Sequence, residues 1–177
     1  MKKICISFLI VAIIILSGIG LFAPKPQAHT EYLRIHIRAN SNEFIDQNVK
    51  YKVKSAVVEF LTPYIANCKD KKSAEDMLSS NLTAIKQVCN DVLKQNGFNY
   101  TANAKIKNEE FPTRVYEGVQ LESGFYDALI IELGCGEGDN WWCVVYPPLC
   151  FVGKDSGYVY RSKILDVIND FLNKEKL

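Results

Sequence analysis

The sequence predicts an α+β domain: a helical layer, two long helices plus a C-terminal helix, packed on a mostly antiparallel sheet. Three observations predict it. Leu33, Ile35 and Ile37 alternate with Arg34, His36 and Arg38, the period of a half-buried strand. Two apolar stripes of helical period follow, between Ile45 and Val92. Beyond Phe98 the alternation returns, and aromatic and β-branched residues gather between glycine- and proline-bearing turns.

Taken in order, the N-terminus is a targeting segment. Lys2 and Lys3 precede an apolar run from Ile4 to Phe22, broken only by Ser17, Gly18 and Gly20. A charged start followed by such a run is an export signal. It also approaches the ~20 residues that span a bilayer as a helix. Pro24 disfavours cleavage after Leu21-Phe22-Ala23, and Pro26-Gln27-Ala28 is a weak alternative. The segment is therefore either removed or kept as an anchor, with the lysines cytoplasmic and the rest outside. Residues 1–28 are expected to be signal or anchor plus a short tether, and residues 29–177 a single extracytoplasmic domain.

Asn40-Ser41-Asn42 ends the first strand with turn chemistry. Ile45, Val49, Val53, Val57, Phe60 and Tyr64 mark one face of a long helix. A loop through Cys68 to Lys71 follows, and Ser73 with Asp76 suggests a capping box opening a second helix. Met77, Leu78, Leu82, Ile85, Val88 and Val92 form its apolar face, and Gly97 suits its C-terminal stop. Strands then dominate: Tyr100 to Ile106, a short one from Val115 to Leu121 around Gly118, and a more apolar, central one from Tyr126 to Leu133. After a turn from Gly134 to Asn140 comes Trp141-Trp142-Cys143-Val144-Val145-Tyr146, predicted to fold back on itself at Pro147-Pro148 as a tight hairpin. Ile164, Leu165, Ile168, Phe171 and Leu172 mark the last helix.

A hairpin centred on the proline pair opposes Cys143 and Cys150, at a Cβ separation of about 4.5–5.5 Å that suits a disulfide. Cys89 lies far along the second helix from Cys68, ~22 Å at 1.5 Å per residue, and reads as a small core residue. Cys135 has no evident partner.

The formal net charge is +1, from 21 Lys and Arg against 20 Asp and Glu, so no bulk field favours nucleic acid. Gly134-Cys135-Gly136-Glu137-Gly138 lacks the Lys-Ser/Thr of a phosphate-binding loop and leads into a strand. A cysteine hydrolase needs a thiolate beside an imidazole, and the domain offers His36, flanked by Arg34 and Arg38, with Cys143 its candidate partner if the two strands are neighbours. Zinc on His36, Cys135, Cys143 and Cys150 lacks the short Cys-x-x-Cys spacing of structural sites. Asp127, Glu132 and Glu137 read as solvated strand and turn charges. No catalytic residue, metal site or cofactor is expected.

Two blocks carry a resemblance. One is Leu33-Arg34-Ile35-His36-Ile37-Arg38-Ala39-Asn40-Ser41 with Asp46-Gln47 and Lys50-Tyr51-Lys52-Val53-Lys54. The other spans Phe111-Pro112-Thr113, Gly124 to Leu129, and Gly134 to Asn140, closing in Trp-Trp-Cys-Val-Val-Tyr-Pro-Pro-Leu-Cys-Phe. The chain resembles the stage II sporulation protein R family of endospore formers. It departs at Lys54-Ser55, where the family often has Arg-Asp, so no role for that acidic position carries over. The resemblance implies an exported signal, not an enzyme. Such proteins leave the forespore for the intermembrane space and trigger a membrane-embedded aspartic protease of the mother cell, which cuts the precursor of the early mother-cell sigma factor. The alternative is a cell-envelope (peptidoglycan) hydrolase or binding module acting indirectly.

Receptor contact is expected where polar residues on strands and turns have no core duty. One patch is Arg34, His36, Arg38, Asn40, Ser41, Asp46, Gln47 and Lys50. The other is Asn140, Trp141 or Trp142, and the Pro147-Pro148 turn, since exposed tryptophan commonly anchors interfaces. Turn and cap hydrogen bonding is the structural explanation for Asn40, Ser41 and Asp46. Adjacent Trp141 and Trp142 should point to opposite faces of their strand. Reversing the charges of Arg34 and Arg38 is expected to abolish signalling without unfolding the domain.

Overall fold

The computed structural model describes residues 31–116, 119–151 and 158–175. The export segment expected at the N-terminus lies outside these residues. Among them no helix is long and apolar enough to cross a membrane.

The chain runs β1 (Leu33–Arg38), α1 (Phe44–Ile65), α2 (Lys71–Gln95), β2 (Ala102–Phe111), β3 (Arg114–Tyr116), β4 (Val119–Leu121), β5 (Gly124–Leu133), β6 (Asn140–Tyr146) and α3 (Tyr158–Lys174). Four strands form one sheet in the order β2-β5-β1-β6. Only β1 and β5 are parallel; the other two pairings are antiparallel. The result is the predicted α+β architecture, with β1 and β5 both internal.

Register decides which side chains share a face. Leu33 lies beside Asp127 and Ile37 beside Trp141. Asp127 pairs with Lys71 of α2 at 2.6 Å, and Trp141 lies under the ammonium of Lys54 of α1. The face carrying Leu33, Ile35 and Ile37 is thus the helical face, and all three are fully buried. Helix α1 meets it with Val49, Val53, Val57, Leu61 and Ile65. Each such burial contributes about 1.5–3 kcal/mol. The stripe keeps stepping by four, so Leu61 and Ile65 fill the core instead of the anticipated Phe60 and Tyr64, and Tyr64 and Ile45 are exposed.

Helix α2 is capped one turn earlier than the sequence suggested. Asp70 is the N-cap and Ser73 the third helical residue, each side chain bonding the other's backbone N–H. Asp76 instead pairs with Lys72 on the surface. Cys89 packs in the core, where burial pushes its thiol up to about 12. Helix α3 closes the domain with Phe171 tilted against Tyr32 and edge-on to Tyr146.

Two strand expectations need correction. Residues 115–121 are not one strand: β3 and β4 pair antiparallel with each other as a small separate sheet, and Gly118 lies outside the described residues. Nor, among the described residues, does a second strand follow Pro147-Pro148. The Tyr146–Pro147 bond is cis, and Leu149 and Phe151 donate their N–H groups to the Pro147 and Pro148 carbonyls in a compact turn. Cys143 and Cys150 are nonetheless disulfide-bonded, with Cα atoms 6.3 Å apart, while Cys68, Cys89 and Cys135 are free.

Candidate functional site

The two sequence blocks meet at the end of the sheet where β1 runs into α1. Asn40 follows β1, and its Nδ2 donates to Asp46 Oδ2 at 2.8 Å. Ser41 Oγ donates to the same oxygen at 2.6 Å, and the Tyr100 hydroxyl donates to Oδ1 at 2.5 Å. Burial alone would raise the Asp46 pKa, but these bonds from Ser41, Tyr100 and Asn40 outweigh it and hold the carboxyl below its ordinary range. Asp46 also sits in the first turn of α1, where a negative charge complements the helix dipole.

The glycine-rich loop closes over this cluster. The Cys135 N–H donates to Asn40 Oδ1 at 3.0 Å, and the Gly138 N–H to the Ala39 carbonyl at 2.9 Å. A Cβ at Gly138 would stand 2.2 Å from the Ser41 carbonyl oxygen, so only glycine admits this approach. Lys50, although a lysine, is 1% exposed. Its ammonium donates to Gln47 Oε1 at 2.5 Å and to the Asp139 carbonyl at 2.9 Å. Burial lowers its proton affinity while Asp139 opposes that shift. This constellation fastens two loops and a helix start together.

The sheet face opposite the helices carries the alternate residues of β1. Arg34 is fully buried. Its Cζ lies 4.3 Å from the ring centroid of Phe111, 4.8 Å from Tyr126 and 5.6 Å from Tyr116, and its Nη2 donates to the Tyr116 hydroxyl at 2.7 Å. His36, 1% exposed, stacks on Trp142 at 3.7 Å between centroids, and Phe111 meets both rings edge-on. Its Nδ1 is 3.6 Å from Glu109 Oε2. Burial, above all, lowers the His36 pKa; Asn140 opposes this, Arg38 reinforces it, and Glu109 opposes it. At the rim, Arg38 pairs with Glu109 and with Glu132, and Lys105 with Glu132.

The structure therefore moves several of the expected contact residues inside. Arg34, His36, Asp46, Lys50, Pro147 and Pro148 are buried. The premise that polar strand residues have no core duty fails because β1 is an internal strand, not an edge, and its polar face is covered by the β3–β4 hairpin, Phe111 and Trp142. Arg38, Asn40, Ser41, Gln47, Trp141 and Trp142 are partly buried, and Asn140 is exposed. The two tryptophans do point to opposite faces: Trp141 beneath Lys54, Trp142 onto His36.

The parts that Glu109, Phe111, Tyr116 and Tyr100 play here are not legible in the sequence, because they follow from strand register and from where the hairpin folds. Nor does the sequence mark Phe44, Ile45 and Tyr51 as surface candidates, although they are exposed at 79%, 59% and 53%. The first two begin α1, and Ile45 was assigned to its apolar face. The same register separates the candidate hydrolytic pair. His36 lies opposite Trp142 and Ile35 opposite Cys143, so imidazole and sulfur occupy opposite faces of the sheet. Among the described residues no three His, Cys, Asp or Glu gather as metal ligands.

Comparison with known proteins gives this geometry a family. The family described as Stage II sporulation protein R matches residues 29–156, which include both blocks. A curated relative, Stage II sporulation protein R of Bacillus subtilis (strain 168), is 31% identical over 131 residues. That alignment covers 74% of this chain and 58% of the relative's length. No solved structure matches the chain. On the extent of the family match, the chain belongs to the stage II sporulation protein R family.

Proposed function

We propose that this protein is an exported signal of sporulation. It leaves the forespore through its N-terminal segment, cleaved or retained as an anchor, and residues 29–177 act as one domain in the intermembrane space. There it activates a membrane-embedded aspartic protease of the mother cell, which then cuts the precursor of the early mother-cell sigma factor. It acts as a ligand and not as an enzyme. The observation that carries this reading is family membership across both sequence blocks, together with their convergence at one end of the fold.

A ligand must bind the active receptor better than the inactive one. With Arg34, His36, Asp46 and Lys50 buried, Asn140 and the partly exposed Ser41, Gln47 and Trp141 remain available for contact, and Phe44, Ile45 and Tyr51 extend the exposed surface along the start of α1. The envelope-hydrolase alternative loses its candidate dyad, since Cys143 is held in a disulfide and faces away from His36.

The test is a reconstitution in a non-sporulating host that expresses the cognate protease and the sigma precursor. Cleavage of the precursor only when this chain is exported supports the signalling role. Intact precursor with all three proteins present and this one exported overturns it.

A further inference from the structure

We propose that the outer edge of β2 is a docking site for a second copy of this chain, joined strand to strand about a two-fold axis at Asn108.

β2 ends the main sheet on one side and pairs with β5. Just ahead of it, the Gly134 N–H donates to the Thr101 carbonyl at 3.0 Å. Inward and outward groups alternate along an antiparallel strand. Odd-numbered residues of β2 therefore face β5, and even-numbered ones turn their N–H and carbonyl outward. Asn90 of α2 takes the first outward N–H, that of Ala102, at 2.7 Å. Among the described residues nothing takes those of Ala104, Ile106, Asn108 or Glu110. Asn103, Lys107, Asn108 and Glu110 are also exposed. The other edge strand, β6, is buried from Cys143 to Tyr146.

An open edge is a template for another strand, and charged side chains on it normally refuse one. On β2 the order of the charges leaves one strand that fits. Lys105, Lys107 and Glu109 share a face, and a two-fold axis perpendicular to the sheet sets residues of one face opposite each other. Centred on Lys107 or Glu109, the axis opposes that residue to its own copy. Centred on Ile106, it opposes Lys105 to Lys107. Each of these juxtaposes like charges, which destabilises the pairing. Centred on Asn108, it opposes Lys107 of each copy to Glu109 of the other. Those are non-hydrogen-bonded pairs, with Cα atoms about 4.5 Å apart and side chains at their closest. Ile106 then exchanges backbone bonds with Glu110 of the second copy, and Asn108 with its own equivalent. The ladder ends at Pro112, which has no N–H to give. Lys107 belongs to none of the described ion pairs, and Glu109 keeps Arg38 as a second partner. A ladder from Lys105 to Phe111 is smaller than a permanent dimer interface, so the association is reversible.

The experiment uses the full chain in detergent micelles, with Cys135→Ser removing the exposed free thiol. Sedimentation velocity over a concentration series is expected to show a monomer–dimer equilibrium. Lys107→Glu opposes glutamate to Glu109 twice and should weaken it about tenfold or more. Asn108→Pro deletes an outward N–H, which an edge strand tolerates, and should weaken it by a similar factor. Asn108→Cys should crosslink between copies on oxidation, at about 5.5 Å between Cα atoms. Ile106→Cys, roughly 14 Å from its own equivalent, should not. A monomer at every concentration overturns the proposal. A dimer that both Lys107→Glu and Asn108→Pro leave intact, or equal crosslinking at the two positions, overturns it as well, because the copies then meet elsewhere. Loss of precursor cleavage in Asn108→Pro, with the wild type monomeric throughout, would assign the edge to a strand of the receptor instead.

Discussion

A Cβ placed on Gly134 would stand 2.1 Å from Oδ1 of Asn40, the atom that accepts the Cys135 N–H. The glycine also holds φ at +56°, a left-handed conformation that side chains resist. Gly134→Ala should therefore cost about 1–3 kcal/mol in backbone strain, plus roughly 1 kcal/mol as Asn40 gives up its bonds. Adding Asn40→Ala removes the two closest contacts and leaves only the Cβ of residue 40 at 3.1 Å, so the double variant should lose less than the sum of the singles. Urea titration of the four proteins checks this. Strict additivity would mean that the two loops are not in contact here.

The Asn40 neighbourhood also predicts a contribution to acid stability. The folded Asp46 pKa lies below its ordinary value, so the unfolded chain takes up the proton first. The stabilisation is complete above pH ~4, the unfolded value, and is lost as pH falls through the folded one. Asp46→Asn should cost about 1–3 kcal/mol at neutral pH, because three donors lose a charged acceptor. It should also flatten the decline below pH ~4. An unchanged acid limb, measured by thermal melts across that range, would assign acid unfolding to the Lys-paired carboxylates Asp127 and Glu132.

The fold class and nearly all the strands and helices were legible because period and turn chemistry are local properties. Alternation at Leu33–Arg38 marks a strand whether or not neighbours exist. The side on which a strand is covered is not local. Arg34 and His36 read as a solvated face because a polar row opposite an apolar one usually is one, and only the β3–β4 hairpin, Phe111 and Trp142 make it interior. The disulfide was legible despite a wrong hairpin, since seven residues of separation around a proline pair bring two cysteines close in more than one backbone shape. Lys50 could not be recognised as buried, because its partners are a carbonyl 89 residues away and a glutamine whose orientation the fold decides.

His36 predicts a second pH response. Its folded pKa is depressed chiefly by burial, so unfolding at mildly acidic pH takes up a proton. Stability is then fully present above about pH 6.5 and declines below it by up to about 1.4 kcal/mol per pH unit until the folded value is reached. His36→Gln should remove that slope between pH 6.5 and 5, while lowering overall stability through loss of the Trp142 stack. Denaturant midpoints at half-unit pH steps measure it. An identical slope in the variant would show that His36 is neutral in neither state or accessible in both.

Charge reversal at Arg34 now carries a different expectation from charge reversal at a surface arginine. A glutamate there would bury an anion against the faces of Phe111 and Tyr126, with no cation bonded to it, at a cost of about 3–5 kcal/mol or more. Arg34→Glu should leave the domain unfolded or molten by near-ultraviolet circular dichroism. Arg38→Glu, at a rim position 26% exposed, should fold but lose its pairs with Glu109 and Glu132. Only the second variant is informative about receptor contact. A well-folded Arg34→Glu protein would place the guanidinium outside the core.

The disulfide separates a stabilising role from a catalytic one. Cys143 and Cys150 enclose a short loop, and the chain-entropy model assigns such a crosslink about 2–3 kcal/mol. Cys143→Ser, Cys150→Ser and the double serine variant should all lose that amount, nearly equally, because each removes the same bond. Precursor cleavage in the reconstituted host should persist in all three at a temperature where they remain folded. A hydrolase using Cys143 would behave otherwise: Cys143→Ser would abolish cleavage, while Cys150→Ser would leave the nucleophile and its activity intact. That asymmetry, measured beside equal losses of stability, would reinstate the enzyme reading despite the register that turns Cys143 away from His36.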